Sequence, residues 1–271
     1  MTSLATATLC GWLDGVGVLG PGLDNWAAAQ PILAGETDYQ PRPVVVPPPA
    51  ALPPPERRRV GLAVKVALAV AQEAITNAGL DAKHLVAVFS SSGADGDNCD
   101  AICQVLASED RHISPTRFHN SVHNASAGDW GIACGAMTPA TVLCAYDGSF
   151  GAGLLEAMTQ VTVEGVGAVL VTYDAPNPQP LHAKCPLPAA FGLALALMPH
   201  RGPHSLACLC IDLVESPLHR VANPDLELLR RQIPSARGLP LLQWLARGAD
   251  GRVILEYLEP LSLAVDVQPC R

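Results

Sequence analysis

Aromatic residues make up only 4% of the 271-residue chain, so its core has to be built from Ala, Val and Leu rather than from large rings. Basic charge is thin as well. The net charge is −8 and no Lys/Arg run exceeds the Arg57–Arg58–Arg59 triplet, which argues against a nucleic-acid partner, because neutralising phosphates takes a basic face. Long apolar runs are missing. The longest uncharged one, Leu187 to Met198, is too short to span a bilayer, and MTSLATATLCGW lacks the basic-then-apolar order of a signal peptide. The expectation is a cytoplasmic protein with no membrane span. The nine cysteines contain no CxxC pair: Cys99 and Cys103 stand four apart, Cys208 and Cys210 two apart. That spacing predicts neither a zinc site nor a disulfide framework, and the thiols are expected to serve mostly as small buried hydrophobes in a reducing compartment. No cofactor is expected.

What is abundant is apolar material, at 49% of residues, with a mean hydropathy of +0.25. This predicts buried central elements and room for a face that meets a partner. A first strand is predicted from Ala5 to Gly11, entering a glycine-rich turn, GVGVLGPG. A short helix follows from Asp24 to Leu33 with Asp24 as its cap. Prolines fill Pro41 to Glu56 and predict an extended polyproline strap, or else a docking peptide for a proline-binding module. The clearest helix runs from Arg58 to Ala78 and stops at Gly79. Its middle is apolar nearly all round, as in a helix buried on more than one face.

Downstream the pattern alternates. HLVAVFSS predicts a strand, and helices are expected over Cys99–Ala107 and Ala125–Gly135. TVLCAY, DGSFGAG and LLEAMTQV then read as strand, turn and helix, and GAVLVTYD as another strand. Ala189–Met198 and Ser205–Val214 read as strands, Asp225–Arg231 and Leu239–Ala246 as helices, with a last strand from Arg252. Strands alternating with helices, several of them near-continuously apolar, predict an α/β layered domain with strands buried on both faces.

The segment from Tyr146 to Gly153 carries the densest chemistry. A turn that ends a buried strand and opens a helix presents backbone N–H groups and the positive end of the helix dipole. No GxGxxG fingerprint is present, since Phe150 occupies a glycine position, and no GxSxG elbow, since Asp147 does. The plain reading of Asp147 is a helix N-cap. His119 and His123 would share a helix face for metal at their spacing of four, but Pro115 and Asn124 favour a loop there.

ISPTRFHNSVHNASAGDWGIACG resembles the stretch that precedes the nucleophile strand of β-ketoacyl synthases, a Ser-Pro-x-x-Phe-x-x-Ser-Val-x-Asn-x-x-Ala-Gly pattern. ERRRVGLAVKVALAVAQEAITNAGL resembles the family's long helix, VFSSSGADGD its next strand and loop, and GVGVLGPGLDNW more loosely its opening. The resemblance spans Leu9 to Asp174. It implies an α/β fold of the thiolase-like layered α/β/α kind, one ketosynthase half (1–174, with the strap at 41–56) followed by a shortened C-terminal part (175–271) packed on the same core.

In that family a Cys at the start of a buried helix is the nucleophile, its pKa lowered by the helix dipole. Counted back from GLLEA, that position holds Asp147. Cys144 lies three residues earlier, inside the predicted strand, and remains the rival thiol. The family's second-half histidine and lysine contexts are absent, and His200, His204 and His219 take no role from them. The resemblance therefore implies a non-catalytic subunit of the chain-length-factor type, as in aryl polyene and related fatty acid or polyketide pathways. Its partner would be a complete β-ketoacyl synthase, with acyl carrier protein met indirectly through the complex. Thr141, Val142, Leu143, Cys144 and Ala145 would form the dimer strand, and Tyr146, Phe150, His119 and His123 the acyl-tunnel wall. A minimal acyltransferase or decarboxylase using Cys144, and a purely structural module, are the alternatives.

Overall fold

The computed structural model describes residues 8–270. In chain order its elements are β1 (Leu9–Leu19), α1 (Trp26–Ala34), α2 (Pro54–Arg57), α3 (Leu62–Ala78), β2 (Val86–Ser90), α4 (Gly96–Ala107), α5 (Pro115–Asn120), α6 (Ala125–Cys134), β3 (Ala140–Leu143), α7 (Ser149–Thr159), β4 (Ala168–Asp174), β5 (Phe191–Met198), β6 (Ala207–Val214), α8 (Pro224–Gln232), α9 (Leu239–Arg247), β7 (Gly251–Glu256) and β8 (Ser262–Pro269). The strands form one sheet in the order β3-β2-β4-β5-β1-β6-β8-β7. β3, β2 and β4 run parallel, and the other neighbours are antiparallel.

Strand alternation sorts the apolar residues into two layers. Val88, Leu170, Leu193 and Leu195 point to the face covered by α1, α7, α8 and α9. Phe89, Val169, Val171, Ala194 and Ala196 point to the face covered by α3 and α6. β2 and β4 are buried at every position, as strands covered on both sides must be. This is the layered α/β arrangement expected of a thiolase-like half. Because strands on either side of residue 174 share the sheet, the later part of the chain completes the same two layers.

Several local expectations are corrected. The first strand is β1, whose described part begins at Leu9; the predicted start at Ala5 lies outside the described residues. It runs on through the glycines that read as a turn. At Gly15 and Gly17 a Cβ would overlap the Ala74 and Val70 carbonyls of α3, so these glycines permit close helix–strand packing. Asn25, not Asp24, caps α1, accepting from Ala28 N at 2.9 Å. The long helix starts four residues later than predicted. Arg57 turns back to donate to the Ala50 and Leu52 carbonyls, and extended Gly61 caps α3. The strap ends in α2 because proline is compatible with a helix's first turn. A second C-terminal strand, β8, was not predicted.

The cysteines also differ from expectation. None is buried, and Cys10 and Cys210, directly opposite on β1 and β6, form a disulfide. The sequence spacing hid this pairing because 200 residues separate the two.

Candidate functional site

The site is built where β3 hands over to α7. β3 ends at Leu143, and the chain turns through a 3₁₀ segment, Tyr146–Gly148, into the helix. Ser149 fixes the turn: its Oγ accepts from Ala145 N at 3.1 Å and donates to the Tyr146 carbonyl at 2.7 Å. From β2, Ser90 Oγ donates to the Ser149 carbonyl at 2.6 Å. Held this way, Tyr146 adopts φ 52°, a left-handed conformation that costs a non-glycine residue about 1–2 kcal/mol. Such strain commonly marks a position where a side chain must be presented. Here it falls on Tyr146, one residue before Asp147. Tyr146 is 69% exposed, and its interaction with the neighbouring Cys185 thiol raises the phenol above its ordinary pKa.

Asp147 does not cap α7, where no side-chain cap bond forms. Its carboxylate instead pairs with Arg237 at 3.2 Å. Arg237 also pairs with Glu256, which Arg230 holds at 2.7 Å, and Arg230 reaches Glu227 at 2.8 Å. An alternating chain of charges thus runs from α8 through β7 to the exposed elbow. It pins Glu227 below the usual carboxylate range through its hydrogen bond with Arg230.

Cys144 lies one residue past the end of β3, not inside it, and is exposed. Its Sγ donates to the Ser92 carbonyl at 3.1 Å. The predicted dimer strand is accordingly shorter than expected: Thr141, Val142 and Leu143 belong to β3, while Cys144 and Ala145 belong to the turn. β3 is an edge strand. On the approach to it, Ile132 is 50% and Met137 97% exposed.

Two cavities meet at the loop after β2, where both include Gly93. The larger, of about 470 Å³, lies between α3, α4 and the stretch from α5 to α6, with Val64, Ile102, Leu106, Phe118, Val122 and Tyr173 on its walls. The smaller, of about 360 Å³, contains Tyr146, Asp147 and Cys185. Asp174, at the end of β4, braces this junction. Its buried carboxylate accepts from Ser92 N (2.9 Å), Ser92 Oγ (2.6 Å) and Ser235 N (2.7 Å).

The four residues expected in one wall do not converge. His123 lines the larger cavity and Tyr146 the smaller. His119 sits on helical α5, where a loop was expected, close enough to Asp129 to oppose the rise in its pKa. Phe150 is fully buried in the core, packed beneath Gly238, because its position on α7 faces the sheet. Ile102, Leu106 and Phe118 were not singled out from sequence. The i, i+4 spacing of Ile102 and Leu106 was the available signal, and it reads equally well as ordinary helix packing. Among the described residues no cluster of three or more metal-ligating side chains occurs and no helix is long and apolar enough to cross a membrane.

No curated protein sequence matches the chain. Among solved structures, it is similar to a ketosynthase (ApeO) in complex with its chain length factor (ApeC) from Xenorhabdus doucetiae, at 21% identity and TM-score 0.70 over 96% of this chain and 99% of that one. A type II polyketide synthase acyl-carrier protein in complex with its ketosynthase bound to the hexaketide (AntDE:AntF) matches at 9% identity and TM-score 0.78, over 97% and 100%. The ishigamide ketosynthase/chain length factor matches at 10% and 0.70, over 96% and 99%. At these identities the likeness is one of fold. The sequence itself matches the model for the β-ketoacyl synthase N-terminal domain over residues 25–250. That span holds the elbow, both cavities and five of the eight strands, and the chain belongs to the β-ketoacyl synthase N-terminal domain family.

Proposed function

We propose that this chain is a non-catalytic subunit of the chain-length-factor type, which pairs with a complete β-ketoacyl synthase in polyketide or fatty acid assembly of the aryl polyene kind and shapes its acyl tunnel. The observation that carries the reading is the elbow. Where the resemblance places a thiol at the start of a buried helix, this chain has Asp147 clamped to Arg237, preceded by Tyr146 in a left-handed conformation. A phenol and an ion-paired carboxylate are poor nucleophiles toward thioesters, so the machinery that holds the turn is retained without the group that reacts.

The remaining parts fit a partner subunit. β3 offers an unpaired edge, which a partner strand would extend into a continuous sheet. Exposed Ile132 and Met137 beside it would be covered in the process. The larger cavity, with Phe118 and His123 on its wall, would receive the growing chain, and its volume would limit length because a packed interior yields little. Two of the similar structures are, by name, ketosynthases with chain length factors. Acyl carrier protein would meet this chain only through the complex.

The test is a tagged pull-down of the full chain from its native host, read by native mass spectrometry. A complex holding one complete ketosynthase is expected; a stable homodimer free of ketosynthase would overturn the proposal. Within the complex, Phe118→Ala should lengthen the products, and an unchanged product spectrum would remove the cavity from that role. The isolated chain exposed to acyl thioesters should gain no mass. An adduct that disappears in Cys144→Ala would instead support an acyltransferase or decarboxylase using that thiol.

A further inference from the structure

Four of the nine cysteines, from three separate stretches of the sequence, meet on one face of the sheet, away from the elbow and both cavities. Cys10 on β1 is paired in register with Cys210 on β6, and the two are bonded. Cys208 precedes Cys210 by two residues and therefore points to the same face. On the other side of β6, Cys208 faces Gln268 of β8. Cys270, two residues further on, shares that face on the diagonal from Cys208. The pair is close enough for Cys270 to add to the effect of burial in raising the Cys208 thiol. Cys270 N donates to the Leu206 carbonyl at 2.9 Å, which holds this last segment against β6. Leu209, Ile211, Val265 and Val267 alternate with these residues and point the other way, into the core. The cysteine face is partly open to solvent.

We propose that Cys10, Cys208, Cys210 and Cys270 form one thiol–disulfide exchange site, whose co-reactant is a low-molecular-weight thiol and its disulfide, such as glutathione. A disulfide at Cys10–Cys210 ties the start of β1 to β6. A disulfide at Cys208–Cys270 ties the end of the chain to the same strand. Exchange between them needs no other oxidant. A glutathione thiolate attacks Cys10 Sγ, the bond to Cys210 breaks, and Cys210 leaves as a thiolate that takes a proton from water. A second glutathione frees Cys10 and leaves as glutathione disulfide. The Cys208 thiolate attacks that disulfide and releases one glutathione. Cys270 then attacks Cys208 Sγ and releases the other. Two electrons have moved from the second pair to the first, and the glutathione is regenerated.

The geometry makes the second bond the more demanding one. Diagonal neighbours across strands stand about 7–8 Å apart, beyond the Cα separations of up to about 7 Å that a disulfide spans without backbone movement. Cys270 lies just beyond β8, so closing the remaining distance has to shift the segment that its N–H bond to Leu206 holds. The Cys10–Cys210 bond should therefore dominate in the wild type, with Cys208–Cys270 forming when the first pair is removed.

The full chain is equilibrated in glutathione buffers from fully reduced to fully oxidised, the free thiols are capped with N-ethylmaleimide, and linked peptides are mapped by tandem mass spectrometry. In wild type a Cys10–Cys210 link is expected to appear as the buffer becomes oxidising. In the double variant Cys10→Ser, Cys210→Ser, a Cys208–Cys270 link should appear, two hydrogens lighter than the reduced pair. Adding Cys270→Ser should convert that link into a single glutathione adduct on Cys208. Free Cys10 and Cys210 at every ratio in wild type would overturn the proposal without relying on any variant. So would capped Cys208 and Cys270 at every ratio in the folded double variant.

Discussion

Replacing Arg237 with Met tests how the elbow is held. The guanidinium bridges two carboxylates in unlike surroundings. Its own side chain is 13% exposed and that of Glu256 16%, whereas Asp147 is 62% exposed. Exposed ion pairs are worth about 0–1 kcal/mol, while breaking a buried pair costs about 3–5 kcal/mol because a charge is left uncompensated. Glu256 keeps Arg230 at 2.7 Å after the substitution, so its loss is partial, and Arg237→Met should cost about 2–3 kcal/mol. At about 2–4 °C per kcal/mol for a domain of this size, the melting temperature should fall by roughly 4–12 °C. Asp147→Asn should cost no more than about 0.5 kcal/mol and melt within about 2 °C of wild type. Double-mutant cycles by urea unfolding give the pairwise energies. The coupling of Arg237 to Glu256 should be the larger, and that of Arg237 to Asp147 should fade with added salt, since exposed pairs are screened. An Asp147→Asn variant as unstable as Arg237→Met would refute the reasoning, because it would place the energy of the network at its exposed end.

Two further outcomes follow from single residues. Asp129 on α6 is buried, and burial raises its pKa to about 6, with Glu56 adding to the rise and His119 opposing it. The folded chain therefore keeps this proton to higher pH than the unfolded chain. The resulting stabilisation is complete below the unfolded carboxylate value near 4 and lost as pH rises through about 6. Urea midpoints of wild type and Asp129→Asn should diverge over that range, wild type losing at most about 3 kcal/mol relative to the variant; parallel curves would show that Asp129 titrates normally. Tyr146→Asn should raise the melting temperature by about 2–4 °C, since Asn tolerates the left-handed conformation that costs Tyr about 1 kcal/mol. A lowered melting temperature would mean that the phenol's contact with Cys185 outweighs the strain.

The sequence alone determined the layered α/β class, because alternation of apolar strands with capped helices is a local pattern that neighbouring residues write together. Gly79 ended its helix as read, in a left-handed cap. The sequence also placed Asp147, with Cys144 three residues before it, at the turn into α7. Tertiary structure decided everything that depended on distant partners. Gly15 and Gly17 looked like a turn until α3 was seen to need the space of their side chains. Asp147 looked like a helix cap until Arg237, 90 positions on, came within 3.2 Å of its carboxylate. Phe150 and Tyr146, four apart, were separated into core and surface because Phe150 lies on α7 and Tyr146 in the turn before it. The cysteines offered no pattern in sequence because their order along the chain is unrelated to their order across the sheet. Four of them became neighbours only when β1, β6 and β8 were laid side by side. Local sequence records what each residue does to its own backbone, whereas packing, ion pairing and strand register are settled between residues that meet only in the fold.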